Sequence, residues 1–193
     1  MIPTLPLRLR NRLAERILAA LHDGSARQEL AALAGEEAPG WLEGDEARWA
    51  DPLVARARVA CAALADRPLL GPDADLGQTL AAAAAFFDAG LYFEVHEMLE
   101  PHWAAASGED REALQGLIQV AVAWQHLANG NLAGARSLFV EGAARLHGRR
   151  LPGADLEPFA RDATEGARRL AAGLPITPPP RPPLTKEAPW TSS

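Results

Sequence analysis

The stretch Gln115-Gly-Leu-Ile-Gln-Val-Ala-Val-Ala-Trp-Gln-His126 constrains the fold more than any other part of the chain. At helical spacing its apolar residues cover almost the whole circumference. Gln115, Gln119 and His126, with Val122 among them, form one narrow polar line. A helix apolar on nearly every side is stable in water only when other elements cover it, so this segment predicts a central helix. Period-3.6 patterning dominates the rest of the chain, and no strand alternation accompanies it. The expected fold class is all-α: an array of antiparallel helices containing helix-hairpin repeats, with a Pro-rich C-terminal tail.

Stop and start signals divide the chain. Leu9, Leu13, Ile17 and Leu21 form a stripe on a first helix that ends near Asp23-Gly24, and Ser25 is the candidate cap of a second helix ending at Gly35. Residues 36–51 contain Pro39, Gly40, Trp41, Gly44 and Trp49 and read as a loop with at most one helical turn. Pro52 suits the first turn of a third helix, to about Ala65. The break Arg67-Pro-Leu-Leu-Gly-Pro-Asp73 separates an N-terminal helical extension or subdomain (1–70) from a helical core domain (71–173). Core helices are expected over about 76–88, 91–106, 109–128, 131–148 and 155–172. Residues 174–193, with seven prolines, form the tail, expected to be extended and either draped on the surface, disordered or a Pro-rich ligand. Phe87-Asp-Ala-Gly90 and Leu127-Ala-Asn-Gly130 stand 40 residues apart at corresponding places in two hairpins, a loose internal repeat.

The segment before the central helix carries a second polar line. At 100° per residue, His96, Glu97, Glu100 and Trp103 fall within roughly 80° of Phe93, while Leu91, Val95, Met98, Leu99 and Ala106 occupy the opposite arc. Only a strip around Glu94 and Pro101 is left for solvent. Pro101 removes a backbone donor and frees a carbonyl beside Glu97. If the two helices pack with polar lines facing, a pocket of His96, Glu97, Glu100, Trp103, Gln115, Gln119 and His126 results.

Buried carboxylates must be paired, hydrated or bound to a cation. One reading is therefore a closed structural cluster or ligand pocket in a non-enzymatic binding or scaffolding module. The alternative is a metal-dependent hydrolase or related enzyme, with His96, Glu100 and His126 as ligands to a divalent metal and Glu97 or Glu100 as general base. His96-Glu-Met-Leu-Glu100 departs from the zincin pattern, since Glu100 stands where the second His would be, and the chain lacks paired Glu-x-x-His motifs. The enzyme reading requires an open cavity at the cluster; the scaffold reading requires a closed one. His22, His102 and His147 lie at helix ends or off the line and are expected at the surface.

Other chemistries find little support. Cys61 is the lone cysteine and sits in an apolar run, Ser107 and Ser137 lack a triad context, and no Gly-rich phosphate loop is present, so no catalytic residue can be named. The net charge of −6 argues against nucleic acid as a main partner and leaves a protein or a small molecule. One cysteine, no signal-peptide core and no apolar run of ~20 residues make the cytoplasm the expected compartment, with no transmembrane segment.

The ordered pattern Phe87-x-x-Gly90-x-Tyr92-Phe93-Glu94-x-His96-Glu97-x-x-Glu100-x-x-Trp103, then Leu114-Gln-Gly-Leu-Ile-Gln119, then His126-x-x-x-Gly130-Asn131-x-x-Gly134-Ala135, resembles the family catalogued as domain of unknown function 309. The resemblance covers about residues 76–150. It implies an all-α array of antiparallel helices and a pocket that is a family feature, and it brings no activity, substrate or cofactor.

Overall fold

A computed structural model describes residues 5–35 and 38–176. The described residues form eight α-helices: α1 (Leu7–His22), α2 (Gly24–Ala34), α3 (Ala50–Leu64), α4 (Leu76–Asp88), α5 (Tyr92–Ala105), α6 (Gly108–Ala128), α7 (Leu132–Leu146) and α8 (Glu157–Ala171). Two 3-10 segments, Ala38–Trp41 and Gly44–Trp49, fill the loop before α3 with more helical structure than the expected single turn. A two-residue antiparallel pair, β1 (Arg150–Leu151) and β2 (Ala154–Asp155), joins α7 to α8. It is too short to leave an alternation signal. The all-α class holds. The part of the Pro-rich tail from residue 177 onward lies outside the described residues.

Local chemistry explains the boundaries. Asp23, not Ser25, caps α2: its carboxylate accepts the Ser25 amide at 2.8 Å and the Ser25 hydroxyl at 2.8 Å. Asp75 and Gln78 form a reciprocal capping box at α4. Gly90 and Gly130 take φ of 74° and 76°. At each, the glycine amide bonds a carbonyl three residues back, and the next amide reaches five back: Leu91 to Phe86 at 2.8 Å, Asn131 to His126 at 2.9 Å. Both helices thus end in the same left-handed turn. The 40-residue offset in the sequence is therefore an equivalence of turn geometry as well.

α6 is central, packed between α5 and α7, and α8 covers α7. The α6–α7 crossing is close because Gly116 faces Leu146 and Gly142 faces Val120. Around it Phe87, Trp124, Phe139 and Phe159 meet edge to face, with Phe87–Phe159 and Trp124–Phe139 centroids each 5.4 Å apart. The N-terminal helices dock: α1 packs on α2, α3 and α5. Leu9, Leu13, Ile17, Leu30 and Leu53 belong to the same continuous core as Phe86 and Leu99. Among the described residues no helix is long and apolar enough to cross a membrane.

Candidate functional site

Docking of α1 and α3 decides what the polar side of α5 can do. Glu94, expected on a solvent strip, is fully buried. Arg56 of α3 grips it through two hydrogen bonds, Nη2 to Oε2 at 2.7 Å and Nε to Oε1 at 3.2 Å. The neighbour that covers this side of α5 comes from 38 residues upstream. Phe93 is covered by α1 as well, with the Arg10 guanidinium 4.1 Å above its ring centroid.

The two polar lines point different ways. On α5, His96 Nδ1 lies 3.1 Å from Glu97 Oε1 and His96 Nε2 lies 4.0 Å from Glu100 Oε2. The three side chains are 29%, 35% and 54% exposed, so this cluster opens to solvent. On α6, Gln119 is buried and donates to Glu141 Oε2 on α7 at 3.0 Å, leaving its own Oε1 without a partner. His126 Nδ1 is held by Asn131 Nδ2 at 2.8 Å, at the turn into α7. Gln115 is half-buried. Trp103 packs under the Arg111 guanidinium, 4.0 Å from the ring centroid, and Arg111 Nη1 bonds the Trp103 carbonyl at 2.8 Å. That pair closes the α5–α6 turn. Of the seven residues expected in a joint pocket, Gln119 and His126 bond partners on α7 and at the turn into it, whereas His96, Glu97 and Glu100 stand together on α5 and Glu97 lines a cleft with α1.

Of the proposed metal set, His96 and Glu100 stay together while His126 belongs to the α6–α7 turn. Glu97 takes the third place, and one donor atom from each of His96, Glu97 and Glu100 lies within 4.8 Å of the others. Such a set can hold a divalent cation with several coordination positions left to water.

Glu97 also lines a cleft of about 500 Å³ that runs from the end of α1 across residues 70–74 to α4 and α5. Leu18, Leu21, Leu70 and Met98 form its apolar wall, and His22, Thr79, Glu97 and His102 supply the polar groups. The rim is fixed by Arg27, which donates to the carbonyls of Ala20 at 2.8 Å, Arg67 at 2.6 Å and Pro68 at 3.2 Å. Leu70 adds an amide bond to the Leu21 carbonyl at 2.7 Å.

His22 and His102 therefore have a setting the sequence did not reveal. His22 is exposed, as expected, with Nδ1 3.2 Å from the Leu70 carbonyl; His102 is half-buried, with Nε2 3.1 Å from Thr79 Oγ1. The available signal was Pro101, which marks the face of α5 that meets the cleft. His147 is exposed beside Glu157. Cys61 is half-buried on α3, and burial raises its thiol pKa, against nucleophilic use.

No curated protein and no solved structure matches the chain. Residues 80–138, from Leu80 in α4 to Leu138 in α7, match the family described as Domain of unknown function (DUF309), and this stretch contains the α5 and α6 polar lines on which the resemblance was read.

Proposed function

We propose that this protein is a binding module, and that its ligand site is the cleft between α1 and α5 with Glu97 as the main polar contact. The observation that carries this reading is the contrast between two carboxylates on one helix. Glu94 is closed off and doubly bonded to Arg56, as a structural acid should be. Glu97 is one-third exposed and faces an open cleft. A mainly apolar cavity of this size with a few polar groups suits a metabolite-sized ligand. No Ser, Cys or Lys lines it, and the Thr79 hydroxyl is committed to the Asp75 carbonyl, so the cleft favours holding a molecule over attacking one.

A thermal-shift screen of metabolite-sized compounds tests the reading, using the full chain and Ala19→Trp, which fills the cleft from α1. Compounds that raise the melting temperature of the parent but not of the variant are expected. A screen in which no compound does so removes the cleft as a ligand site.

A metal-dependent enzyme is the second reading, favoured by the closeness of His96, Glu97 and Glu100. Titration with manganese or zinc, followed by calorimetry, decides it. Stoichiometric binding that Glu100→Gln weakens and His126→Ala leaves unchanged supports a cation there; no binding above the level of the double variant Glu97→Gln/Glu100→Gln dismisses it.

A further inference from the structure

The polar groups of the α1–α5 cleft share one property: each is left as a hydrogen-bond acceptor. Thr79 Oγ1 donates its single hydrogen to the Asp75 carbonyl at 3.2 Å. With its hydrogen on that carbonyl it accepts from His102 Nε2, 3.1 Å away, in the Nε2–H tautomer of the ring. An uncharged His102 is then left with Nδ1 as an acceptor. The Leu70 carbonyl likewise can only accept from His22 Nδ1 at 3.2 Å, which leaves Nε2 of an uncharged His22 as an acceptor. The Glu97 carboxylate lies with Oε1 3.1 Å from His96 Nδ1 and lines the cleft as an acceptor. Finally, Pro101 stands one turn after Glu97 on the same cleft wall and has no amide hydrogen, so the Glu97 carbonyl lacks its helix bond. No Arg or Lys lines the cleft to answer these acceptors.

We propose that the cleft binds a small protonated aliphatic amine, its ammonium group held by the Glu97 carboxylate and the Glu97 carbonyl released by Pro101, with its hydrocarbon chain along Leu18, Leu70 and Met98. An ammonium offers three donors and one positive charge. It thereby satisfies an acceptor-only site in a way that a carboxylate, a phosphate or a neutral diol does not. The apolar wall takes the methylene chain, as protein interiors take the stems of lysine side chains. The proposal rests on the cleft being the ligand site.

Isothermal titration calorimetry on the full chain tests it with cadaverine as probe and pentanediol and glutarate as controls of equal carbon chain. Cadaverine is expected to bind and the controls not to. Glu97→Gln should weaken cadaverine at least roughly tenfold, the loss expected for a charge-assisted contact. Pro101→Ala restores an amide donor to the Glu97 carbonyl. It should weaken cadaverine roughly three- to tenfold while raising the melting temperature of the protein, because a helix-interior proline is removed. A merely structural Pro101 would not couple higher stability to weaker binding. Absence of cadaverine binding, equal binding of pentanediol, or unchanged affinity in both variants overturns the proposal. If cadaverine fails while another compound stabilises the parent and not Ala19→Trp, the amine assignment falls and the ligand cleft stands.

Discussion

Arg56 on α3 and Glu94 on α5 form a bidentate ion pair in which the carboxylate is fully buried, with Nη2 to Oε2 at 2.7 Å and Nε to Oε1 at 3.2 Å. Removing the cation alone leaves a charge with no water and no partner. Arg56→Met should destabilise the fold by roughly 3–5 kcal/mol, whereas the double change Arg56→Met/Glu94→Met should recover much of that loss. Urea denaturation of the three proteins provides the comparison. A single variant within about 0.5 kcal/mol of the parent would show that the pair is not load-sharing between α3 and α5.

Alanine should act with opposite sign at two buried helical glycines. At Gly142 a Cβ would lie 2.8 Å from Val120 Cγ2 and 3.0 Å from the Gly116 carbonyl, and the backbone atom cannot move aside. Gly142→Ala is expected to destabilise by roughly 1–3 kcal/mol through overpacking of α6 on α7. At Gly166 the nearest atoms are Phe139 ring carbons at 3.8 Å, an ordinary contact. Gly166→Ala should stabilise by about 0.5–1 kcal/mol, the usual gain in a helix interior. Equal signs in chemical denaturation would contradict the described crossing.

Glu157 predicts a pH dependence. The Gly148 amide at 2.9 Å and then the His147 ring hold its pKa below the ordinary value of 4.5. A carboxyl with a depressed folded-state pKa contributes stability that is present above its unfolded value and lost as pH falls through the folded one. The parent should therefore be more stable than Glu157→Gln above about pH 4.5, and the two melting curves should converge as the pH drops further. Melting temperatures across an acid series read this directly; parallel curves would mean that the α7–α8 link owes nothing to the charge.

The Trp103–Arg111 contact can be separated from charge. Arg111→Lys keeps the cation but loses the flat guanidinium that covers the ring and bonds the Trp103 carbonyl. It should cost about 1 kcal/mol and shift Trp103 fluorescence to longer wavelength. Fluorescence identical to the parent would place the stacking outside the energetics of the turn.

Much of the architecture was legible because helix ends are local chemistry. The spans of α3, α4, α6 and α7 lie close to the expected ones, since Pro52, Gly90 and the Asn129-Gly130-Asn131 signal act over a few residues. Asp23 and Ser25 are both good caps and compete at the start of α2, and the geometry gives the cap to Asp23. The site was legible only in part. Projection groups His96, Glu97 and Glu100 correctly, because they share one helix. It cannot say what lies opposite them, so by projection alone Glu94 faces solvent and Gln119 and His126 join the pocket. Those outcomes depend on α1, α3 and α7, whose approach is encoded in Gly116, Gly142 and the N-terminal leucine stripe rather than in the polar residues themselves.

The matching left-handed turns at Gly90 and Gly130 carry one more consequence. Two hairpins that end in the same way could in principle be followed by a third, and repeat arrays grow by such addition. Here α8 lies across α7 at one side and α1 lies across α5 at the other. Among the described residues, both outer faces of the hairpin pair are therefore covered by helices of the same polypeptide.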